Sequence, residues 1–214
     1  MKPIIGIILR PMQNKSNRDV EAIYNSVKEA VIQKGGIPLG IILYHKGKPT
    51  QENIADLKIL LSFCNGILLQ GGEDFYPIDI WIANYAYEKD IPVLGICLGM
   101  QIMSCAQNGI MKEIKDASHQ QIGYDYVHSV HIDKESLLYK IIKEEDIFVN
   151  SRHHSFIENT TLDKVGYAKD GVLEAVEDPD KRFFLGVQWH PEDMITYDKV
   201  ANLLLEAFIE KCRE

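Results

Sequence analysis

Apolar positions in the first half of this chain follow two alternating patterns. Short, unbroken apolar runs stand at residues 3–9, 37–43, 66–69 and 92–95. Runs of that length, apolar on both faces, predict buried strands. Between them the apolar positions recur at helical spacing. The first such stretch is 18–34, with Val20, Ile23, Tyr24, Val27, Ala30 and Val31 on one face, ended by Gly35-Gly36. Others follow at 51–63, at 76–89 and from Gly99 onward, where Met100, Ile102, Met103 and Ala106 share a side. Strands alternating with helices predict an α/β fold in three layers, a mostly parallel central sheet flanked by helices. Ligands in such sheets sit at the carboxyl ends of the strands. Two of those ends are marked by glycine, at Gly71-Gly72 and around Cys97, and they are expected to be neighbours.

The second half changes character. Residues 126–132 alternate, 136–143 read as a short helix, and 147–150, 165–168, 172–176 and 183–187 read as short strands. Turn signals, Asp170-Gly171 and Asp178-Pro179, separate the last three. Residues 198–211 close the chain as a helix. With no internal repeat, low-complexity segment or linker, 1–214 is expected to be a single domain with a β-rich C-terminal half.

Two stretches carry candidate chemistry. In Gly95-Ile-Cys97-Leu-Gly99 a cysteine sits between a strand and a helix with glycine two residues to either side. This is the cysteine form of the nucleophile elbow, in which small residues permit a sharp reversal and close backbone approach. The free N–H groups and dipole of the helix start favour negative charge there, which suits a thiolate nucleophile. The second stretch is Gly186-Val-Gln-Trp-His190-Pro-Glu192. If 183–192 is extended, His190 and Glu192 point to the same side, so the carboxylate can orient the imidazole and leave its other nitrogen as a base.

Composition narrows the classes. A formal charge of −8 and the absence of any basic run speak against nucleic acid as a partner. The four cysteines, Cys64, Cys97, Cys105 and Cys212, form no C-x-x-C pair and no zinc-ligand spacing, as expected in a reducing compartment. The apolar N-terminal run is short, carries Gly6 and stops at Arg10, which reads as a strand and not as a signal peptide. No run reaches membrane-spanning length, and a cytoplasmic protein with no membrane partner is expected. No metal is expected either: His128 and His131 are three apart on a strand and face opposite sides, as do the adjacent His153 and His154. Trp81, Tyr85 and Met103 read as core, the three other cysteines as small buried hydrophobes, and Glu73 and Asp74 as ordinary acids at a helix start, Asp74 capping its loop.

Taken together, Gly-Ile-Cys97-Leu-Gly-Met-Gln and Gly-Val-Gln-Trp-His190-Pro-Glu192 closely resemble the class I glutamine amidotransferases. More narrowly they resemble the γ-glutamyl hydrolase branch, the peptidase C26 type exemplified by γ-glutamyl-GABA hydrolases. The resemblance extends over nearly the whole chain, through Lys2-Pro-Ile-Ile-Gly-Ile, Gly35-Gly-Ile-Pro38, Gln70-Gly-Gly-Glu-Asp74-Phe-Tyr-Pro77 and Asn150-Ser-Arg-His-His154. It implies a flavodoxin-like sheet and a Cys97–His190–Glu192 triad. It implies an oxyanion hole from the N–H of Leu98 and of one glycine of Gly71-Gly72, with Gly72 preferred. Gly71, Gln101, His154 and Ser155 correspond to positions that hold the substrate.

The implied activity is hydrolysis of the γ-glutamyl amide of glutamine or of a γ-glutamyl amine through a cysteine thioester, with no cofactor. The alternatives are a glutaminase subunit delivering ammonia to a synthase partner and a binding protein without catalysis. A homodimer is compatible with either enzyme. Two departures stand out. The insertion usual after the Gly-Gly-x-Asp-x-x-Pro motif is missing, so Pro77 leads almost directly into helix. Ser155 replaces the branch's usual glutamine, which brings Arg152-His-His-Ser155 close to the synthetase-associated glutaminases.

Overall fold

The computed structural model of the protein describes residues 1–42 and 47–214. In chain order its elements are β1 (Ile4–Ile8), β2 (Arg10–Gln13), β3 (Asp19–Ala22), α1 (Asn25–Gln33), β4 (Ile37–Ile41), α2 (Gln51–Leu61), β5 (Gly66–Leu69), α3 (Pro77–Glu88), β6 (Val93–Ile96) and α4 (Leu98–Ala106). The second half adds β7 (Ile110–Glu113), β8 (His128–Ile132), α5 (Leu137–Ile142), β9 (Asp146–Val149), β10 (Ser155–Asn159), β11 (Asp163–Ala168), β12 (Leu173–Glu177), β13 (Phe184–Val187) and α6 (Lys199–Lys211).

Nine strands form one sheet in the order β4-β1-β5-β6-β13-β12-β11-β8-β9. The strands from β4 to β13 run parallel, and from β12 to β9 each neighbour is antiparallel. Every residue of β5 and β6 is buried, as it must be for strands covered on both faces. Their side chains divide by the period of two. Leu68 and Leu94 join α1, α5 and α6 in one core, with Val27, Leu138, Leu204 and Phe208. Ile67, Leu69 and Val93 join α2, α3 and α4 in the other, with Leu57, Ile82, Met100 and Met103. The three expected layers are therefore present, and the sheet lies between two apolar cores.

Local chemistry sets several boundaries. Thr50 and Asn53 exchange reciprocal capping bonds at the start of α2, each 3.1 Å. Ser136 Oγ accepts from Tyr139 N at 2.9 Å, and Asp198 Oδ1 accepts from Ala201 N at 2.7 Å. Gly35, at φ 84°, adopts the left-handed conformation that closes α1.

Three expectations require correction. The helix expected over 18–34 begins only at Asn25. Its first residues form β3, paired antiparallel with β2. The reason is turn chemistry: Asn14 Oδ1 accepts from Ser16 N and Arg18 N, and Asn17 takes φ 54°, so the chain reverses before the helical register can begin. The strand expected at 37–43 is an edge strand with Ile37 exposed, not a fully buried one, and Leu43 lies outside the described residues. Residues 183–192 are not extended throughout. β13 ends at Val187, and Pro191–Asp193 form a single 3₁₀ turn. Two small ribbons, β2–β3 and β7–β10, had no counterpart in the expected elements.

Candidate active site

β5, β6 and β13 are consecutive parallel strands, and each delivers one part of the site from its carboxyl end. Beyond β5 lies Gly71-Gly72, beyond β6 lies Cys97, and beyond β13 lies His190. The motifs are far apart in sequence and are brought together by strand order alone.

Cys97 occupies φ 53°, ψ −105°, a region costing a non-glycine residue roughly 1–3 kcal/mol. The surroundings enforce it. Its N–H donates to Val187 O at 2.8 Å, and its carbonyl accepts from Gln101 N at 3.2 Å. The flanking glycines are required by contact. A Cβ on Gly99 would lie 1.9 Å from Leu69 O, and one on Gly95 would lie 2.4 Å from Met103 Sδ. α4 thus presses directly on β5, and the Leu98 N–H emerges in its first turn without an intrahelical acceptor.

His190 is fixed from three sides. Asn150 clamps its backbone, Oδ1 accepting from His190 N at 2.8 Å and Nδ2 donating to His190 O at 2.9 Å. Nδ1 lies 2.8 Å from Glu192 Oε1, and the ring borders the same cavity as the Cys97 thiol. The same-side placement of His190 and Glu192 arises from the 3₁₀ turn and not from strand alternation. Burial pushes the imidazole toward neutrality, but the charges of Glu192 and Cys97 outweigh it and raise the His190 pKa to about 10. The ring therefore holds its proton near neutrality. Burial alone raises the Cys64 thiol to about 11 and Cys105 above its ordinary value, and it raises Cys212 to about 12 despite Arg182 nearby.

Two cavities meet at Cys97. The larger, about 290 Å³, is lined by Gly71, His190 and Glu192 near Cys97 and by Tyr24, Gln120, Ile122 and Arg152 as well. The smaller, about 40 Å³, is bounded by Gly72, Gln101, Arg152, His154 and Ser155. All four positions expected to hold substrate thus border one cavity or the other. Gln101 is already engaged, its Nε2 donating to Ser155 O at 3.0 Å and to Gln188 Oε1 at 3.1 Å. It braces the wall of the small cavity through β10. Gly71 contacts the ring itself: a Cβ there would lie 2.9 Å from His190 Cε1.

Several contributors were not anticipated. Arg10 makes a buried ion pair with Asp79 and donates through Nη1 to Asp74 O at 3.4 Å. Asp79 Oδ2 also accepts from Tyr76 N at 2.8 Å, so this pair, and not the Asp74 side chain, ties the Gly71–Gly72 loop to α3. Gln70 does the same on the other side, accepting from Tyr24 N and donating to Ile8 O and Ala22 O. Glu73 borders both cavities, beyond the helix-start role expected of it. Burial, then the charges of Glu73 and Cys97, raise the Tyr24 pKa, so its phenol faces the cleft as an O–H. Arg152 reaches both cavities and pairs with Asp193. Gln120 and Ile122 come from a stretch with no periodicity, where sequence pattern offers no signal.

A thiol at a helix start, a braced imidazole and a glycine loop at adjacent strand ends define a class I amidotransferase-type site. The sequence pattern of Peptidase C26 matches residues 78–192, and the chain belongs to that family, within the class I glutamine amidotransferase superfamily. It is 27% identical over 265 aligned positions to a glutamine amidotransferase-like protein of Rickettsia prowazekii, covering 89% of this chain and 91% of that one. It is 25% identical to the γ-glutamyl-γ-aminobutyrate hydrolase of Escherichia coli K12, covering 99% and 94%. In fold it matches the Trypanosoma brucei CTPS glutaminase domain with bound acivicin, with TM-score 0.68, 20% identity and coverage of 98% and 94%. No helix among the described residues is long and apolar enough to cross a membrane.

Proposed function

We propose that the protein hydrolyses γ-glutamyl amides, with Cys97 as nucleophile and His190, held by Glu192, as the proton carrier. The observation that carries this reading is the convergence of the Cys97 elbow, the Glu192-braced ring and Gly71-Gly72 at three neighbouring strand ends. The sulphur attacks the γ-carbonyl as a thiolate. The developing oxyanion is received by the N–H groups of Leu98 and Gly72. The Gly72 loop packs on the Leu98 side chain, since a Cβ on Gly72 would lie 3.1 Å from Leu98 Cδ2. His190 hands its proton to the departing amine, a thioester remains, and the neutral ring then draws a proton from water to release glutamate.

The small polar cavity beside Gln101, His154 and Ser155 suits the α-amino and α-carboxylate ends of a γ-glutamyl group. The larger cleft suits the leaving side. Its volume of about 290 Å³, with Tyr24 and Ile122 set beside Gln120 and Arg152, leaves room for an amine with a polar-ended carbon chain, which supports a γ-glutamyl amine hydrolase over a glutaminase that feeds a synthase. The test is glutamate release by the purified chain, without a partner, from glutamine, γ-glutamyl-GABA and γ-glutamyl dipeptides. Turnover of γ-glutamyl amines, lost by about 10⁴-fold or more in Cys97→Ala, is expected. Activity that survives Cys97→Ala removes the mechanism. Activity that requires an added synthase removes the stand-alone reading.

A further inference from the structure

We propose that the protein carries a metal site, distinct from the Cys97, His190 and Glu192 group, in which His119, His128, His153 and Glu174 bind one zinc ion; His153 also borders the small cavity beside Cys97. The residues come from four places: the stretch between β7 and β8, strand β8, the segment between β9 and β10, and strand β12. Their ligand atoms all lie within 4.8 Å of one another. Glu174 Oε1 is 3.2 Å from His119 Nδ1, 3.5 Å from His128 Nε2 and 3.4 Å from His153 Nε2. A tetrahedral zinc with bonds of about 2.0–2.1 Å places its ligand atoms about 3.3 Å apart, so these three edges match a coordination shell.

The hydrogen bonding leads to the same reading. These contacts are short enough for hydrogen bonds but are not aligned as such. Among the described residues, His119 Nδ1, His128 Nε2, His153 Nε2 and both Glu174 oxygens have no hydrogen-bond partner. Glu174 is fully buried, and His119 and His153 nearly so. Five orphaned polar atoms in one dry pocket would each cost on the order of 1–3 kcal/mol. A cation at their centre would satisfy four ligands at once.

The far side of each ring is arranged as a metal ligand requires. His119 Nε2 is 2.8 Å from Asp170 Oδ2, His153 Nδ1 is 3.0 Å from Ser155 O, and His128 Nδ1 is 3.4 Å from Ser129 O. Each outer nitrogen thus donates its hydrogen to an oxygen, which leaves a lone pair on the inner nitrogen aimed at Glu174. Three lone pairs and a carboxylate converging would repel unless a cation or added protons stand between them. Three imidazoles and one carboxylate fill the four positions of a tetrahedral structural zinc site.

Such an ion would hold the rim of the active cleft. His119 O accepts from His153 N at 3.0 Å and from Ser151 Oγ at 2.6 Å, and Gln121 N donates to Ser151 O at 3.0 Å. The segment that carries Gln120 and Ile122 is thereby laced to the one that carries Arg152. The ion would fix both to β8 and β12.

The experiment uses full-length Cys97→Ala protein, so that the thiol cannot compete, stripped with chelator and titrated with Zn²⁺ and separately with Co²⁺. One equivalent of zinc bound with submicromolar Kd is expected, together with a rise in melting temperature. The Co²⁺ form should show the intense visible absorption of tetrahedral cobalt with no thiolate charge-transfer band. Glu174→Gln should weaken binding by about a hundredfold or more, and Asp170→Asn by about tenfold to a hundredfold. His190→Ala should leave it unchanged, which excludes the cluster of His190, Glu192 and Asp193. Absence of saturable binding, an octahedral cobalt spectrum, or binding that is lost in His190→Ala and undiminished in Asp170→Asn would each overturn the site. If Glu174→Gln does not fold, stoichiometry, the cobalt spectrum and Asp170→Asn still decide.

Discussion

The parallel and antiparallel halves of the sheet each bring polar residues together, but by different means. In the parallel half, polar groups sit just past strand ends, in short motifs whose glycines are demanded by backbone contact. In the antiparallel half, His119, His128, His153 and Glu174 project from strands and loops into an interior pocket, and no two are close in sequence. A rim site is built from loops and tolerates open solvent. An interior site must satisfy every polar atom it buries, so the burial of Glu174 at 0% exposure is itself a constraint on what the pocket holds.

The largest expected effect concerns what holds the rim rigid. Asp79→Ala leaves Arg10 buried without its partner and releases Tyr76 N, at a cost of roughly 3–5 kcal/mol. Urea unfolding should show this as a lowered midpoint, with activity falling as the Gly71–Gly72 loop loosens. A shift below about 1 kcal/mol would mean that the loop is held by other contacts. Gly71→Ala comes next. Its Cβ would meet His190 Cε1 at 2.9 Å and displace the ring from Cys97. A kcat reduced about a hundredfold, with little change in stability, is expected, since small displacements at the reacting centre cost that much.

These residues also mark what the sequence could reveal. That Cys97, His190 and Glu192 lie together was legible because an elbow and a His-Pro-Glu run are contiguous signatures, and the order of the parallel strands brings their ends to one rim. Arg10, Asp79 and Gln70 were not, because their partners lie at distant positions and a lone buried arginine has no local pattern. The histidine cluster shows the limit most sharply. Spacing correctly separated His128 from His131 and His153 from His154: His131 is exposed on the far side of β8, and His154 faces solvent. The missing information was that His128 and His153 meet each other, through a β8–β9 pairing and a return toward β12 that only the topology supplies. The β2–β3 hairpin was lost for a related reason, since an amphipathic pattern does not reveal that a turn at Asn14 interrupts it.

A smaller effect separates the charges acting on the ring. With the His190 pKa raised to about 10, the imidazolium needed to protonate the leaving amine persists through neutrality and is lost only as pH rises through that value. The alkaline limb of kcat/KM should therefore lie near pH 10. Burial opposes the shift, and Glu192 is the largest influence raising it, so Glu192→Gln should move that limb to lower pH. A limb that stays in place would assign the shift to Cys97 instead.

The smallest expected effect tests whether the two halves communicate. Ile122 is 75% exposed, lines the larger cavity, on the side proposed to take the leaving amine, and follows His119 by three residues. Ile122→Ser removes one exposed apolar contact and should raise KM for γ-glutamyl amines by roughly threefold, with kcat and glutamine KM unchanged. If the buried cluster fixes this segment from behind, stripping its ion should reproduce that pattern in the wild type: a KM change for the longer amine, with the chemistry at Cys97 intact. A fall in kcat on chelation would instead show that the interior cluster also bears on the rim that holds His190, through Ser151 and its neighbour Asn150, which clamps the His190 backbone.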